Sequence, residues 1–143
     1  MASPGGRVLA VDWGDKRIGL AISDELGMIA SPAGHIVRRA GKRPPVAEIL
    51  RRAAALEAVR VVMGLPLDGN GEETPRCAEV RLVAAELTKR AGLAVRLVDE
   101  RFTTAAAHRA IRDMGGSTRG RKGDVDALAA TVLLQHALSL PAE

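Results

Sequence analysis

Acidic side chains stand at three places in the chain where they could act together. Asp12 follows the first apolar run, Asp99 and Glu100 follow the fifth, and Asp126 lies at the start of an apolar helical pattern. Sites in open α/β sheets form beyond the strand ends, so these carboxylates meet there if strands one and five are neighbours. Close carboxylates repel one another unless a cation lies among them, and hard divalent ions accept oxygen ligands. The pattern therefore indicates a divalent metal site.

A site of this kind suits the hydrolysis of a phosphodiester. Two ions about 4 Å apart can hold the attacking water and the departing oxygen. Lys16 and Arg17 follow Asp12 within one turn and are near enough to meet phosphate. Structural alternatives remain open, because an aspartate after a strand is often a turn residue and Asp126 could simply favour its helix N-terminus.

Composition narrows the classes of partner. The net charge of +4 favours an anionic partner, and the 47% apolar fraction predicts a real core. Trp13 and Phe102 are the only aromatic residues, so rows of stacking platforms for single strands are excluded and nucleic-acid binding would rest on phosphate contacts. The single Cys77 excludes an internal disulfide and a multi-cysteine zinc site.

The start of the chain and its apolar runs indicate where in the cell the protein is expected. The start MASPGGR lacks the apolar stretch of a signal peptide, and no run reaches the roughly 20 apolar residues of a membrane span. We therefore expect a cytoplasmic protein with no membrane association. The basic stretch from Arg38 to Arg43 is interpreted as a solvated loop more readily than as a binding patch.

The apolar periodicity predicts a mixed sheet with helices on its faces. A short turn at Gly14–Lys16 makes a hairpin of the first two strands, and helices that connect later strands imply parallel pairing. The five predicted strands are Val8–Val11, Ile18–Ile22, Met28–Val37, Val59–Met63 and Leu93–Val98.

Four helical patterns accompany these strands. The first starts after Pro44 and Pro45, and the second carries Cys77, Val80, Ala84, Leu87 and Ala91 on one stripe and ends at Gly92. Thr103 or Thr104 would cap the third, and Asp124 the fourth. The inward residues of the fourth are predicted to be Val125, Leu128, Ala129, Val132, Leu133 and His136. The glycine-rich stretch between the last two helices predicts a mobile loop.

Four blocks of this sequence together resemble the YqgF/RuvX family. They are LAVDWGDKRIGLAISDELGMIASP, VVMGLPLDGNGEETPRCAEVRLVAAEL, VRLVDERFTT and RKGDVDALAATVLLQ, in the family's order and spacing. The resemblance implies one ribonuclease H-like nuclease domain over residues 1–143, with residues 1–6 as a flexible tail. The implied fold is an α/β mixed five-stranded sheet, with an antiparallel β1-β2-β3 meander, β4 and β5 parallel to β1, and helices on both faces.

The resemblance also implies which residues form the site. Asp12, Glu100 and Asp126 match the catalytic acids that hold Mg²⁺ or Mn²⁺, in a site expected to take two ions, and Asp99 matches the same motif as Glu100 and is a fourth candidate ligand. The residues that match positions near the nucleic acid are Lys16, Arg17, Arg101, Thr103, Thr104 and Lys122. Trp13 and Asp15 stand where the family more often has a smaller or neutral residue.

The implied function is a metal-dependent nuclease that processes the 5′ end of pre-16S ribosomal RNA, with a pre-ribosomal particle as a further partner. A Holliday junction resolvase or another DNA nuclease is the alternative, and a non-catalytic nucleic-acid-binding module is the next. An actin-like ATPase or sugar kinase is disfavoured, because that class needs two such domains around its nucleotide. The sequence leaves a monomer and a homodimer both open.

Overall fold

The computed structural model describes residues 5–39, 41–101 and 122–141, with the side chains of the last segment described from Ala127 onward. The eight elements are β1 (Arg7–Trp13), β2 (Arg17–Ser23), β3 (Ala30–Val37), α1 (Val46–Ala55), β4 (Ala58–Leu65), α2 (Pro75–Ala91), β5 (Ala94–Asp99) and α3 (Lys122–Ser139). No helix within these ranges is long and apolar enough to cross a membrane.

The five strands form one mixed sheet in the order β3-β2-β1-β4-β5. β1, β2 and β3 pair antiparallel, whereas β4 pairs parallel with β1 and β5 pairs parallel with β4. The expected fold class is therefore confirmed. The assumption that strands one and five are neighbours is wrong, because β4 lies between them. A helical crossover returns the chain to a parallel strand, and β4 takes the place beside β1 first.

Helices cover both faces of this sheet. Strand residues alternate between faces, so Leu9 and Val11 pack with α1 and α2, while Val8 and Ala10 pack beneath α3. We call these two sides the α1/α2 face and the α3 face. Each strand consequently divides its side chains between two separate apolar cores.

The turn between β2 and β3 is longer than the sequence pattern predicts. Asp24 accepts the backbone N–H groups of Met28 and Ile29 at 2.7 and 2.9 Å. These N–H groups are therefore used by the turn, and β3 starts at Ala30 rather than Met28. The backbone hydrogen bonds, led by the one from Ile29, hold the pKa of Asp24 below its ordinary value.

The last helix also differs from its prediction. It begins at Lys122, so Asp124 lies inside the helix and not at its cap. Ala129 and Leu133 are buried as predicted, but Leu128 is 40% exposed. The predicted third helix with Thr103 and Thr104, and the glycine-rich stretch except for its final residues, lie outside the described residues.

A buried tryptophan joins the hairpin to α2. Trp13 is 1% exposed and belongs to the apolar core on the α1/α2 face. Its indole N–H donates to Glu79, and the Arg38 guanidinium lies 4.6 Å from the centre of its ring. Arg38 also donates to both carboxylate oxygens of Glu79, at 3.1 and 3.0 Å, and to the Gly14 carbonyl at 2.9 Å. This network fixes the hairpin turn against α2.

Glu79 gives the network a pH dependence. Burial raises its pKa, but hydrogen bonds from Trp13 and Arg38 outweigh burial, so its pKa is lowered overall. A carboxyl whose pKa is lower in the folded state stabilises the fold above its unfolded-state pKa. That contribution disappears as the pH falls through the folded-state pKa.

We predict that Glu79→Gln lowers the free energy of unfolding by about 1 kcal/mol at neutral pH, a value discounted because the side chain is 37% exposed. The melting temperature should fall by about 3 °C. The difference should be constant down to the ordinary glutamate pKa of about 4.3 and decline below it. It should vanish only once the pH is below the lowered pKa of folded-state Glu79, where the wild-type carboxyl is also neutral. Thermal unfolding between acid and neutral pH measures this.

Glu86→Gln is the matched control on the same helix. Glu86 pairs only with Arg90, one turn along an exposed face, and such pairs contribute about 0.5 kcal/mol or less. Equal effects of the two substitutions, or a Glu79→Gln effect that persists in acid, would contradict the role assigned to the network.

Candidate functional site

One edge of the sheet collects most of the predicted site residues. The carboxyl ends of the parallel strands β1, β4 and β5 lie there, as does the β1–β2 turn. β3 is antiparallel to β2, so its carboxyl end lies there too. We call this the carboxyl edge.

Register brings Asp12 and Glu100 to the same face of the sheet. Asp12 follows Val11, whose partner on β4 is Met63, and so lies beside Gly64. Gly64 in turn pairs with Val98, two residues before Glu100. Because side chains alternate along a strand, Asp12, Gly64 and Glu100 all belong to the α3 face. The two acids therefore come from strands that are separated by one strand, and they flank Gly64 on the same face of the sheet.

Gly64 provides the space that the Glu100 carboxylate occupies. A Cβ at this position would lie 3.0 Å from Cδ of Glu100, closer still to its Oε2, and 3.3 Å from Cδ2 of Leu133 on α3. The Glu100 carboxylate therefore lies over the β4 backbone, between the sheet and α3. Any side chain at Gly64 would occupy the volume that the carboxylate fills.

Both carboxylates are deeply buried. Asp12 is 0% and Glu100 1% exposed, and Ser23 is the only other polar residue that is buried among the described side chains. Burial in a medium of low polarity disfavours negative charge, and two acids in one site disfavour it further. The arrangement is thus strongly selective for a positively charged ligand.

α3 runs from the carboxyl edge, where the site lies, to the opposite edge of the sheet. Near its carboxyl end, Gln135 donates to the Met28 carbonyl and accepts from the Ala30 N–H, both at 3.0 Å, beside the β2–β3 turn. The amino end of α3 therefore points to the carboxyl edge. Asp126 precedes Leu133 by seven residues, which is two helical turns, so its backbone lies on the same helix face as Leu133. The Asp126 side chain is outside the described part of the chain.

Asp99 is held away from Asp12 and Glu100. It ends β5 and pairs with Leu65, so it belongs to the α1/α2 face. Its carboxylate accepts from the Arg101 side chain at 2.9 to 3.1 Å and from the Arg101 backbone N–H at 3.0 Å. The side-chain hydrogen bond from Arg101 is the main reason that the pKa of Asp99 is lowered. The structure therefore does not bring this candidate ligand to the other two.

Arg101, one of the predicted nucleic-acid contacts, is part of this ion pair. Its guanidinium also lies against the loop that joins β4 and α2, where a Cβ on Gly71 would be 3.1 Å from Nη1. Gly71 has a φ of 80°, in the left-handed region. The Asp99–Arg101 pair thus supports the loop beside the site.

The β1–β2 turn carries the next two predicted contacts, Lys16 and Arg17. Lys16 is exposed and Arg17 is half-buried at the start of β2. Asp15, between Gly14 and Lys16, forms an ion pair with Arg76 in the first turn of α2. This pairing offsets the negative charge that Asp15 brings to the turn.

The remaining predicted contacts are described only partly or not at all. Lys122 is the first residue of α3, and its side chain lies outside the described residues, as do Thr103 and Thr104 entirely. Among the side chains that are described, no group of three or more His, Cys, Asp and Glu forms a metal site. Asp12 and Glu100 are the members of the predicted acidic set that lie together in this part.

Two features of the site are absent from the sequence interpretation. Gly64 directly follows the predicted strand Val59–Met63, and a glycine at such a position can mark close approach of another group. Leu133, predicted simply as a core residue, faces the site over Gly64. Both depend on β4 lying between β1 and β5.

Sequence comparison identifies the family. Residues 6–140 match the family model described as "RuvX: Holliday junction resolvase". Three relatives carry the name "Putative pre-16S rRNA nuclease". The one from Clavibacter sepedonicus is 41% identical, covering 93% of this chain and 83% of the relative. Those from Kineococcus radiotolerans and Rickettsia bellii are 44% and 36% identical, covering 94% and 95% of this chain and 72% and 88% of the relatives.

Structure comparison agrees on the fold. The RuvC protein of Thermus thermophilus, solved in complex with a Holliday junction substrate, superposes with a TM-score of 0.54 at 16% identity, covering 93% of both chains. A second Thermus thermophilus RuvC structure gives 0.52, also at 16% identity, covering 92% of this chain and 93% of that one. The chain therefore shares the ribonuclease H-like fold of RuvC.

We predict that Gly64→Ala disrupts cation binding at the site but changes the stability of the fold only slightly. The new Cβ meets the end of a flexible glutamate, so the carboxylate can move aside at a cost of about 1 kcal/mol. Any stabilisation by Mn²⁺, which is about 2.7 kcal/mol at a concentration of 100 Kd, should be strongly reduced because Glu100 is displaced. Thermal unfolding with and without Mn²⁺ measures both effects.

Gly69→Ala is the control, since nothing lies within 4 Å of a Cβ built there. It should leave the Mn²⁺ shift unchanged. A Gly64→Ala variant that keeps the wild-type shift would show that the space over Gly64 is not needed by a cation.

Proposed function

Since the chain belongs to the RuvX family, we propose that it is a divalent-metal-dependent nuclease, with Asp12, Glu100 and Asp126 as its catalytic acids. The observation that carries the proposal is the placement of two buried acids on one face of the sheet, with Asp12 beside Gly64 and the Glu100 carboxylate over it. They lie at the sheet edge toward which α3 brings the backbone of Asp126. A buried acidic pair costs several kcal/mol per charge unless positive charge offsets it. The burial of this acidic pair therefore favours a site that binds a cation.

The donors fit Mg²⁺ or Mn²⁺. Carboxylate oxygens are the ligands that these hard cations prefer, whereas thiolates and imidazoles are typical of zinc and copper. Asp12 and Glu100 would hold the cation from two strands, and Asp126 from the helix. When bound, the cation would supply Lewis-acid stabilisation of charge at the scissile phosphodiester.

The protein residues around the acids would position the substrate. β1, β4 and the close approach of α3 fix Asp12 and Glu100, so that they need not reorganise when substrate arrives. Lys16 and Arg17 on the adjacent turn would contact phosphates on one side. Arg101 would contact the backbone only through the donors that Asp99 leaves available, and Thr103, Thr104 and Lys122 are the further candidates.

The substrate we favour is the 5′ end of pre-16S ribosomal RNA, in the cytoplasm and within a pre-ribosomal particle. The support is the shared name of relatives that are 36 to 44% identical over more than nine-tenths of this chain. One active site per chain suffices for trimming an RNA end, so a monomer would be competent.

Resolution of a Holliday junction is the second candidate. The family description and the RuvC fold favour it. A junction has two symmetric cuts, which requires a two-fold dimer that presents two sites. The oligomeric state in solution therefore bears directly on the choice between the candidates.

We predict that wild-type protein cleaves nucleic acid with Mn²⁺ or Mg²⁺ and that Asp12→Asn does so at least about a hundredfold more slowly, since a charged ligand is lost while shape is kept. The substrates are single-stranded RNA, single-stranded DNA, a pre-16S 5′-end fragment, duplex DNA and a four-way junction. Cleavage rates at saturating substrate and binding in EDTA are both measured.

Asp24→Asn is the control. Asp24 lies at the opposite edge of the sheet, and an asparagine can still accept its two backbone hydrogen bonds. Preference for the pre-16S fragment supports RNA processing, and preference for the junction supports resolution. Binding without cleavage by wild type in either metal would refute the nuclease and leave a nucleic-acid-binding module.

A further inference from the structure

A second charged feature of the carboxyl edge lies on the opposite face from the acidic site. An open groove of about 580 Å³ runs between the end of β3 and α1, below the connection formed by residues 38–39 and 41–45. The polar residues that line it are His35, Arg39, Lys42, Arg43, Glu48 and Arg52. We call it the basic groove, because four of these side chains are cationic and one is a carboxylate.

Three of the four cations in the basic groove have no acidic partner among the described side chains. Glu48 is already paired with Arg51 and Arg52 on its own helix. Among the described side chains, which are those of residues 5–39, 41–101 and 127–141, no carboxylate forms an ion pair with Arg39, Lys42 or Arg43, and all three are exposed. Other arginines of the described surface do have acidic partners, namely Arg38, Arg76, Arg81, Arg90 and Arg101.

The connection that carries these three cations is anchored at both ends. At its start, Arg38 donates its backbone N–H to the Lys16 carbonyl at 2.7 Å and its side chain to Glu79. At its end, Pro45 leads directly into α1, and proline restricts the backbone there. In between, Lys42 donates its N–H to the Arg39 carbonyl at 3.1 Å, which links two of the three cationic residues through their backbones. The cations are thus presented by an anchored segment, which lowers the entropy lost on binding.

The basic groove and the acidic site are connected by the β1–β2 turn. The groove lies at β3, two strands from β1, which is about 10 Å at the usual strand spacing. Lys16 lies on the turn between them and is hydrogen-bonded through its carbonyl to Arg38. A chain of phosphates that crosses the carboxyl edge would therefore meet the acids on one face, Lys16 at the edge and the groove on the other face.

We propose that the basic groove binds the phosphate backbone of the nucleic-acid substrate, several nucleotides from the bond that is cut. The inference rests on the proposed nuclease function and adds to it a binding surface outside the acidic site. The groove is open and its lining is charged, so it suits a polyanion better than an apolar ligand. Its contacts go to phosphate and not to base edges, so they fix the position of the strand without reading sequence.

The test is the triple substitution of Arg39→Gln, Lys42→Gln and Arg43→Gln. Binding of a fluorescein-labelled single-stranded RNA is measured by anisotropy in EDTA over a range of salt. Affinity should fall about tenfold or more at low salt, and the slope of log affinity against log salt should fall by about 2, since each phosphate contact on a single strand contributes about 0.7. With metal, KM should rise and kcat should stay within about twofold.

A control triple removes the same residue types elsewhere. Arg7→Gln, Lys89→Gln and Arg90→Gln also lose two arginines and one lysine, at the start of β1 and in the last turn of α2. The control should bind RNA with wild-type affinity and slope. A third variant, with Arg39→Lys, Lys42→Arg and Arg43→Lys, keeps the charge and should restore binding.

The outcomes test the proposed role of the basic groove independently of the proposed nuclease activity. Equal losses of RNA affinity in the groove and control triples, or wild-type affinity in the groove triple, would overturn the proposed role of the basic groove even if the protein cleaves RNA. Selective loss in the groove triple would support it even if no cleavage is found. If the groove triple does not fold, Lys42→Gln alone should lower the salt slope by about 0.7, and an unchanged slope would overturn the proposal.

Discussion

The burial of two carboxylates between the sheet and α3 is the constraint on which the rest of this structure depends. Each buried charge costs several kcal/mol, whereas a domain as a whole is stable by only about 5–15 kcal/mol. Burial of the Asp12 and Glu100 carboxylates therefore lowers the stability of the fold unless positive charge offsets it. The apolar core beneath α3 must be packed well enough to hold them in place, and Leu133 and Leu134, both fully buried, anchor the helix beside them. Binding of a cation would offset the free-energy cost of burying these carboxylates.

Small residues make that arrangement possible. Gly64 leaves the space that the Glu100 carboxylate occupies, and the buried residues of α3 include Ala127, Ala129 and Ala130, which let the helix approach the sheet closely. Larger side chains at these positions would improve apolar burial and move the helix away from the acids. The composition of α3 thus reflects the geometry of the site as much as the stability of the core.

Local pattern was sufficient to predict the strands and helices of the described part of the chain, but not how they are arranged. The order of strands depends on pairing between distant segments, so nothing local places β4 between β1 and β5 or makes Gly64 part of the site. The network of Trp13, Arg38 and Glu79 joins residues up to 66 positions apart for the same reason. The position of Asp99 could have been predicted from the sequence. Neighbouring side chains along a strand point to opposite faces, so Asp99 must face away from α3 if Glu100 faces it.

The carboxyl edge separates charges that would otherwise conflict. Buried acids repel a polyanion, so a nucleic acid would gain little affinity from the acidic site before a cation is bound. Cations on the other face, reached across the β1–β2 turn, supply attraction that does not depend on metal. The pairing of Asp15 with Arg76 removes a negative charge from that crossing. Because binding and chemistry then reside on different faces of one sheet, a substitution can weaken one and leave the other, which makes their contributions separable by experiment.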